Sequence, residues 1–122
     1  MEITHLHTGP DGRSHFADLD VAVTEDAGGT WFQTIAVEGL VVRDLVSGFS
    51  NDFHVCPRRA LILQLTGVGE IECGDGTIRV FGPGDLLIAD DTSGEGHISR
   101  EVEGPRRQAL IYLDPDLDLS TL

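Results

Sequence analysis

Residues 69–89 read GEIECGDGTIRVFGPGDLLIA, and the punctuation of this stretch decides the fold. Gly69 to Cys73 is a strand-like run. Gly74-Asp75-Gly76 then forms a hairpin turn, because glycine and aspartate tolerate the positive φ that tight turns demand. Thr77 to Phe81 is the returning strand. Gly82-Pro83-Gly84-Asp85 is a second turn, in which proline fixes φ and glycine supplies the permissive position. Leu86 to Ala89 closes the unit as a short buried strand.

The same rhythm continues on both sides. Upstream, strands are expected at Asp18–Val23, Trp31–Val37, Leu40–Val46 and Arg59–Thr66, with a break over Ser47 to Asp52. Downstream, a polar loop from Asp90 to Gly96 precedes strands at His97–Val102 and Gln108–Leu113. No segment carries a sustained helical stripe. Short strands with turn signals between them point to an all-β sandwich or barrel. Fifteen glycines against five prolines supply the many turns such a fold needs. The 122 residues are one domain's worth, with a barrel core expected over about 38–113 and an acidic surface tail over 114–122.

The formal net charge is −13, and all eight basic residues are arginines. That field repels nucleic acid and anionic membrane, so neither is expected as a partner. Without lysine the chain has no Schiff-base chemistry of its own. No apolar run reaches the length of a membrane span, and Met1 to His7 lacks the pattern of a signal peptide. Cys56 and Cys73 do not make a disulfide framework, which fits free thiols and a cytoplasmic protein. The glycine-rich turns lack the strand-to-helix setting of a phosphate loop.

From Gly48 to Glu101 the residues fall into two motifs. The first is Gly48, His54-Val55-Cys56, Ala60 and Gly67. The second is Thr92, Gly94-Glu95-Gly96-His97 and Glu101. Set out this way, the chain resembles the cupin superfamily, whose first motif carries a His-x-His pair, a glutamate and a glycine, and whose second ends in Pro-x-Gly-x-x-His with a later asparagine. The spacing is kept, but Cys56 stands for the second histidine, Ala60 for the glutamate, Thr92 for the proline and Glu101 for the asparagine. A nearer resemblance is to small single-domain bacterial cupins, carried by His54-Val55-Cys56-Pro57-Arg58-Arg59, Leu65-Thr66-Gly67-Val68-Gly69-Glu70, Pro83-Gly84-Asp85 and Asp91-Thr92-Ser93-Gly94-Glu95-Gly96-His97. The resemblance implies a cupin-type jelly-roll barrel (a double-stranded β-helix). It also implies motif histidines that face the barrel interior, and a homodimer. It does not imply a reaction, since one fold hosts many.

Strand side chains alternate between faces. If His54 faces inward and no bulge intervenes, then Cys56, Arg58, Ala60, Ile62 and Gln64 do so as well, with His97 approaching from the second motif. Two uses of that wall stand open. In one, His54, Cys56 and His97 hold a divalent metal (zinc, iron, nickel or manganese), and Gln64, Glu70 or Glu101 can complete a set that lacks the usual glutamate. In the other no metal is bound. His54 and His97 then act as acid and base, while Arg58 binds a carboxylate or enolate oxygen. The metal-bound use suits an oxygenase or isomerase, and the metal-free use suits isomerisation, enolisation, cyclisation or elimination, on a small organic molecule in either case. The alternative is a non-catalytic ligand-binding or sensory barrel. Tyr112 is a further candidate for the pocket wall. His5 and His7 alternate on an N-terminal strand expected at a surface or edge, and His15 falls in a loop-like segment. Cys73 is assigned no role.

Overall fold

Both turns of the deciding stretch are present in the computed structural model, which describes residues 2–122. In the first, Gly76 N–H donates to the Cys73 carbonyl and Cys73 N–H to the Thr77 carbonyl, both at 2.9 Å, and Gly76 takes φ +86°. In the second, the Asp85 carboxylate accepts from Gly82 N–H at 2.8 Å.

These turns sit within nine strands: β1 (Glu2–Thr8), β2 (Ser14–Asp20), β3 (Val23–Asp26), β4 (Gly29–Phe32), β5 (Gly39–Asp44), β6 (Ala60–Cys73), β7 (Ile78–Phe81), β8 (Leu86–Asp90) and β9 (His97–Tyr112). The only regular helix among the described residues is a single 3-10 turn at Leu119–Thr121. No helix there is long and apolar enough to cross a membrane. The main sheet runs β2-β1-β8-β6-β9-β5, with β7 also on β6, and β3-β4 forms a separate hairpin.

Strand β6 makes the sheet curl. Its first half, Ala60 to Leu63, pairs with β8, and its second half, Gly69 to Glu72, pairs with β7. Along its other edge it pairs with β9 throughout, with register shifts between Gln64 and Gly69. Gly67, at φ +72°, sits in this bend, where a Cβ would meet the Pro105 carbonyl at 2.5 Å. The two runs expected on each side of Gly67 are thus one bent strand, and the runs expected at 97–102 and 108–113 are likewise joined in β9, which ends at Tyr112.

Adjacent apolar residues divide between two cores, as alternation requires. Ile62 and Leu87 join Leu6, Ile71, Cys73 and Phe81 on the inner face. Leu61 and Ile88 join Ile3, Val21 and Leu113 on the outer face. Leu119 and Leu122 pack on that outer cluster, so the C-terminal segment covers the sheet as well as being acidic. Arg59 fastens it by donating to the carbonyls of Leu117 at 2.7 Å and Asp114 at 3.2 Å.

The barrel also begins earlier than residue 38. Strand β1 lies inside the sheet between β2 and β8, with Ile3 and Leu6 buried. His5 and His7 are therefore on an interior strand and not at an edge, and His15 is in β2. Residues 33–37 are outside any strand, so the run expected from Trp31 stops at Phe32.

Candidate functional site

Between the two halves of the curl lies a cavity that leaves about 110 Å³ for the centres of water-sized atoms. Its apolar walls include Leu45, Phe49, Ile62, Phe81 and Leu87. His54, Gln64 and His97 of the expected site all reach it.

His54 precedes β6, in a segment joined to β9 by two isolated bridges, Ser50 with Arg100 and His54 with His97. His54 N–H donates to the His97 carbonyl at 3.0 Å and His97 N–H to the His54 carbonyl at 2.9 Å. The rings lie with centroids 4.5 Å apart. Gly96 makes this approach feasible, since it holds φ +80° and any Cβ there would strike the His54 carbonyl.

Hydrogen bonds fix the state of each ring. His97 Nδ1 lies 2.5 Å from Asp91 Oδ2, and that oxygen also accepts from the Ser14 hydroxyl at 2.7 Å. Asp91 and Ser14 are both fully buried. A carboxylate at Nδ1 places the proton there and leaves Nε2 as the nitrogen that can exchange one. His54 Nδ1 faces the Asp52 carbonyl at 3.1 Å, and its Nε2 faces Asn51 Nδ2 at 3.2 Å. Asn51 Oδ1 accepts from Ser99 N–H at 3.0 Å, so the amide must present its N–H₂ to His54. In this pairing His54 donates from Nδ1 to the Asp52 carbonyl, and its Nε2 is engaged by Asn51.

The donor groups of His54 and Cys56, two of the expected metal ligands, are engaged elsewhere. His54 Nε2 is engaged by Asn51. Cys56 Sγ donates to the Arg58 carbonyl at 2.9 Å, and burial pushes its thiol pKa up. Among the described residues no three His, Cys, Asp or Glu side chains are placed to hold one ion. The set His54, Cys56 and His97 therefore does not fit a metal as arranged.

Two other expected residues lie outside the cavity. Pro57 ends the alternation that was to carry Arg58 inward, because regular strand begins only at Ala60. Arg58 instead pairs with Glu38 at 2.8 Å, and its guanidinium lies 4.2 Å from the Tyr112 ring centroid. Tyr112 is occupied in that contact and does not line the cavity. Gln64 is buried and within a polar relay: Gln108 Nε2 donates to its Oε1 at 2.9 Å, and its own Nε2 donates to the Thr66 carbonyl at 2.7 Å. Glu70 borders the cavity but faces Arg100 at 3.5 Å.

Sequence reasoning missed the two arginines that do reach the lumen, Arg43 and Arg106. It also missed Asn51 and Asp91 as partners of the histidines. A signal existed for Asp91, since it opens the same glycine-rich loop that ends in His97.

These strands and this lumen make an all-β fold curled around a cavity. No protein-family model matches the chain, and no curated protein does. Among solved structures it is similar to a cupin 2 conserved barrel domain protein from Leptotrichia buccalis, with 19% identity over 70% of this chain and 48% of that one, at a TM-score of 0.42. It is also similar to a conserved protein of unknown function from Streptococcus pyogenes, with 17% identity over 77% of this chain and 94% of that one, at a TM-score of 0.44. The chain spans about half the length of the Leptotrichia protein. Likeness at this level says nothing of ligand or reaction.

Proposed function

We propose that the protein holds a small organic molecule in its lumen and moves a proton on it, with Nε2 of His97 as the exchanging atom. The observation that carries this reading is the buried Asp91–His97 contact beside the cavity. A carboxylate behind an imidazole orients it and stabilises the imidazolium that forms when it takes a proton. His54 plays a different part. With Nε2 facing the Asn51 amide and Nδ1 the Asp52 carbonyl, it is a polar wall 4.5 Å from the His97 ring and not a second base. Isomerisation and enolisation fit a single base in a cavity lined about equally by polar and apolar side chains.

The test is proton exchange. The wild-type protein and His97→Gln are incubated in D₂O with a panel of small carbonyl compounds bearing an α C–H, and exchange is followed by proton NMR. Exchange in the wild type, lost in His97→Gln, supports the reading. Saturable binding with no exchange in any compound overturns it and leaves the non-catalytic binding barrel. Metal content, measured on protein purified without chelator, is the second arm. Stoichiometric metal that is lost in both His54→Ala and His97→Ala would overturn the metal-free reading.

A further inference from the structure

The lumen contains a buried charge without a satisfied partner. Arg106 is 2% exposed, and neither its Nε nor its Nη2 has a hydrogen-bond partner. The nearest carboxylate is Glu101, whose Oε1 stands 3.8 Å from Arg106 Nε and is itself unpartnered. Glu101 is held by its other oxygen, which accepts from Gly48 N–H at 2.8 Å. The carboxylates that line the cavity are engaged, Glu70 with Arg100 and Asp85 with Gly82 N–H. Arg43, exposed at the rim of the cavity, donates only to the neutral Gln108 Oε1, at 2.8 and 3.1 Å. Two guanidinium groups thus border one small space, with no carboxylate within hydrogen-bond distance of either.

The fold makes room for Arg106. A Cβ on Gly67 would meet Arg106 Cγ at 2.6 Å, and a Cβ on Gly69 would meet its Nη1 at 2.7 Å. The Gly67-Val68-Gly69 step of β6 therefore leaves a track along which the arginine stem and head lie. A buried charge that meets its carboxylate neighbour Glu101 only at 3.8 Å, with no hydrogen bond between them, is poorly compensated, and desolvation accordingly pushes the Arg106 pKa down. Retaining such a group in a shaped track makes sense where an anion completes it.

We propose that Arg106, assisted by Arg43 at the rim, is the anion-binding end of the lumen, and that the ligand is a small organic carboxylate whose apolar body lies against Phe49, Phe81 and Leu87. This rests on the reading of the lumen as a ligand site, and it names the chemistry of that ligand. The guanidinium fork matches a carboxylate in shape and charge. The carboxylate end would sit at Arg106, and the carbon adjoining it would lie in the same cavity as His97.

The test uses isobutyrate and its uncharged isostere isobutyramide, titrated into ¹⁵N-labelled full-length protein. The arginine Nε–H signals and the amides of His97 and Ser99 are followed. Isobutyrate should shift Arg106 Nε–H saturably and bind about tenfold more tightly than isobutyramide, a ratio in keeping with one charge-assisted hydrogen bond. Arg106→Gln should abolish the preference. Because that substitution can disturb folding, Arg43→Gln, at the exposed rim, provides a second variant and should weaken isobutyrate but not isobutyramide. Equal binding of both probes at lumen amides, unchanged by either variant, overturns the anion assignment and leaves the lumen as a ligand site. Absence of any lumen shift with either probe overturns both.

Discussion

His54 and His97 exchange both backbone hydrogen bonds across their bridge, so their side chains emerge on one face with ring centroids 4.5 Å apart. The bridge depends on residue 96 having no side chain. At Gly96 an added Cβ meets backbone that cannot swing away, and φ is +80°. Gly96→Ala should therefore cost at least about 1–3 kcal/mol in urea unfolding and separate the two rings. Gly12, at φ +76° with open space around it, is the control; its change to alanine should cost only about 1 kcal/mol. Equal losses at the two positions would refute the close-approach argument.

Asp91 serves Ser14 and His97 with one oxygen in a fully buried position. Asp91→Ala leaves both partners unpaired, and each such loss costs roughly 1–3 kcal/mol. Ser14→Ala removes only one arm and should cost less. In a double-mutant cycle, Asp91→Ala with His97→Gln should show coupling, whereas additive losses would mean that the contact does not hold His97.

Arg58 lies outside the lumen in a half-exposed pair with Glu38. Arg58→Ala should change stability by less than about 1 kcal/mol, as exposed ion pairs do, and leave ligand affinity unchanged. A large loss of affinity in calorimetry would return Arg58 to the site.

Asp90 gives the pH dependence its sign. Burial alone would raise its pKa, but hydrogen bonds from His5 and Arg59 outweigh burial and hold the carboxyl below its ordinary value of 3.8. A depressed carboxylate stabilises the fold above the unfolded pKa, and that contribution is lost as pH falls through the lower folded value. Unfolding followed from pH 5 downward should show wild type losing stability below about pH 4, with Asp90→Asn flatter over the same range. An equally steep loss in Asp90→Asn would assign the acid sensitivity to other carboxylates.

Much of the fold was legible because turns announce themselves locally. Gly74-Asp75-Gly76 and Gly82-Pro83-Gly84-Asp85 name their own geometry. So does Gly9-Pro10-Asp11-Gly12, where Gly9 N–H bonds the Arg13 carbonyl at 2.8 Å, but its flanks hold His5, His7 and His15 and read as polar. Strand β1 owes its place inside the sheet to pairing with β8, more than eighty residues away in sequence, and local composition does not carry that partnership.

The site was legible in part for the same reason. His54, His97 and Gln64 all border the cavity. Alternation failed across Pro57, and Arg58 and Tyr112 went elsewhere with it. Arg106 was invisible because its role depends on two glycines across the sheet at 67 and 69, and no pattern within its own strand marks the space they leave.

The arginines at the lumen lie inside a molecule whose formal net charge is −13. A small anion in dilute buffer meets a repulsive field at long range and attraction only at the cavity itself. Added salt screens the long-range field first, over a Debye length of about 10 Å at 0.1 M, and reaches the enclosed guanidinium least. Entry of an anionic ligand should thus quicken with ionic strength while its departure barely changes, the reverse of ordinary electrostatic steering.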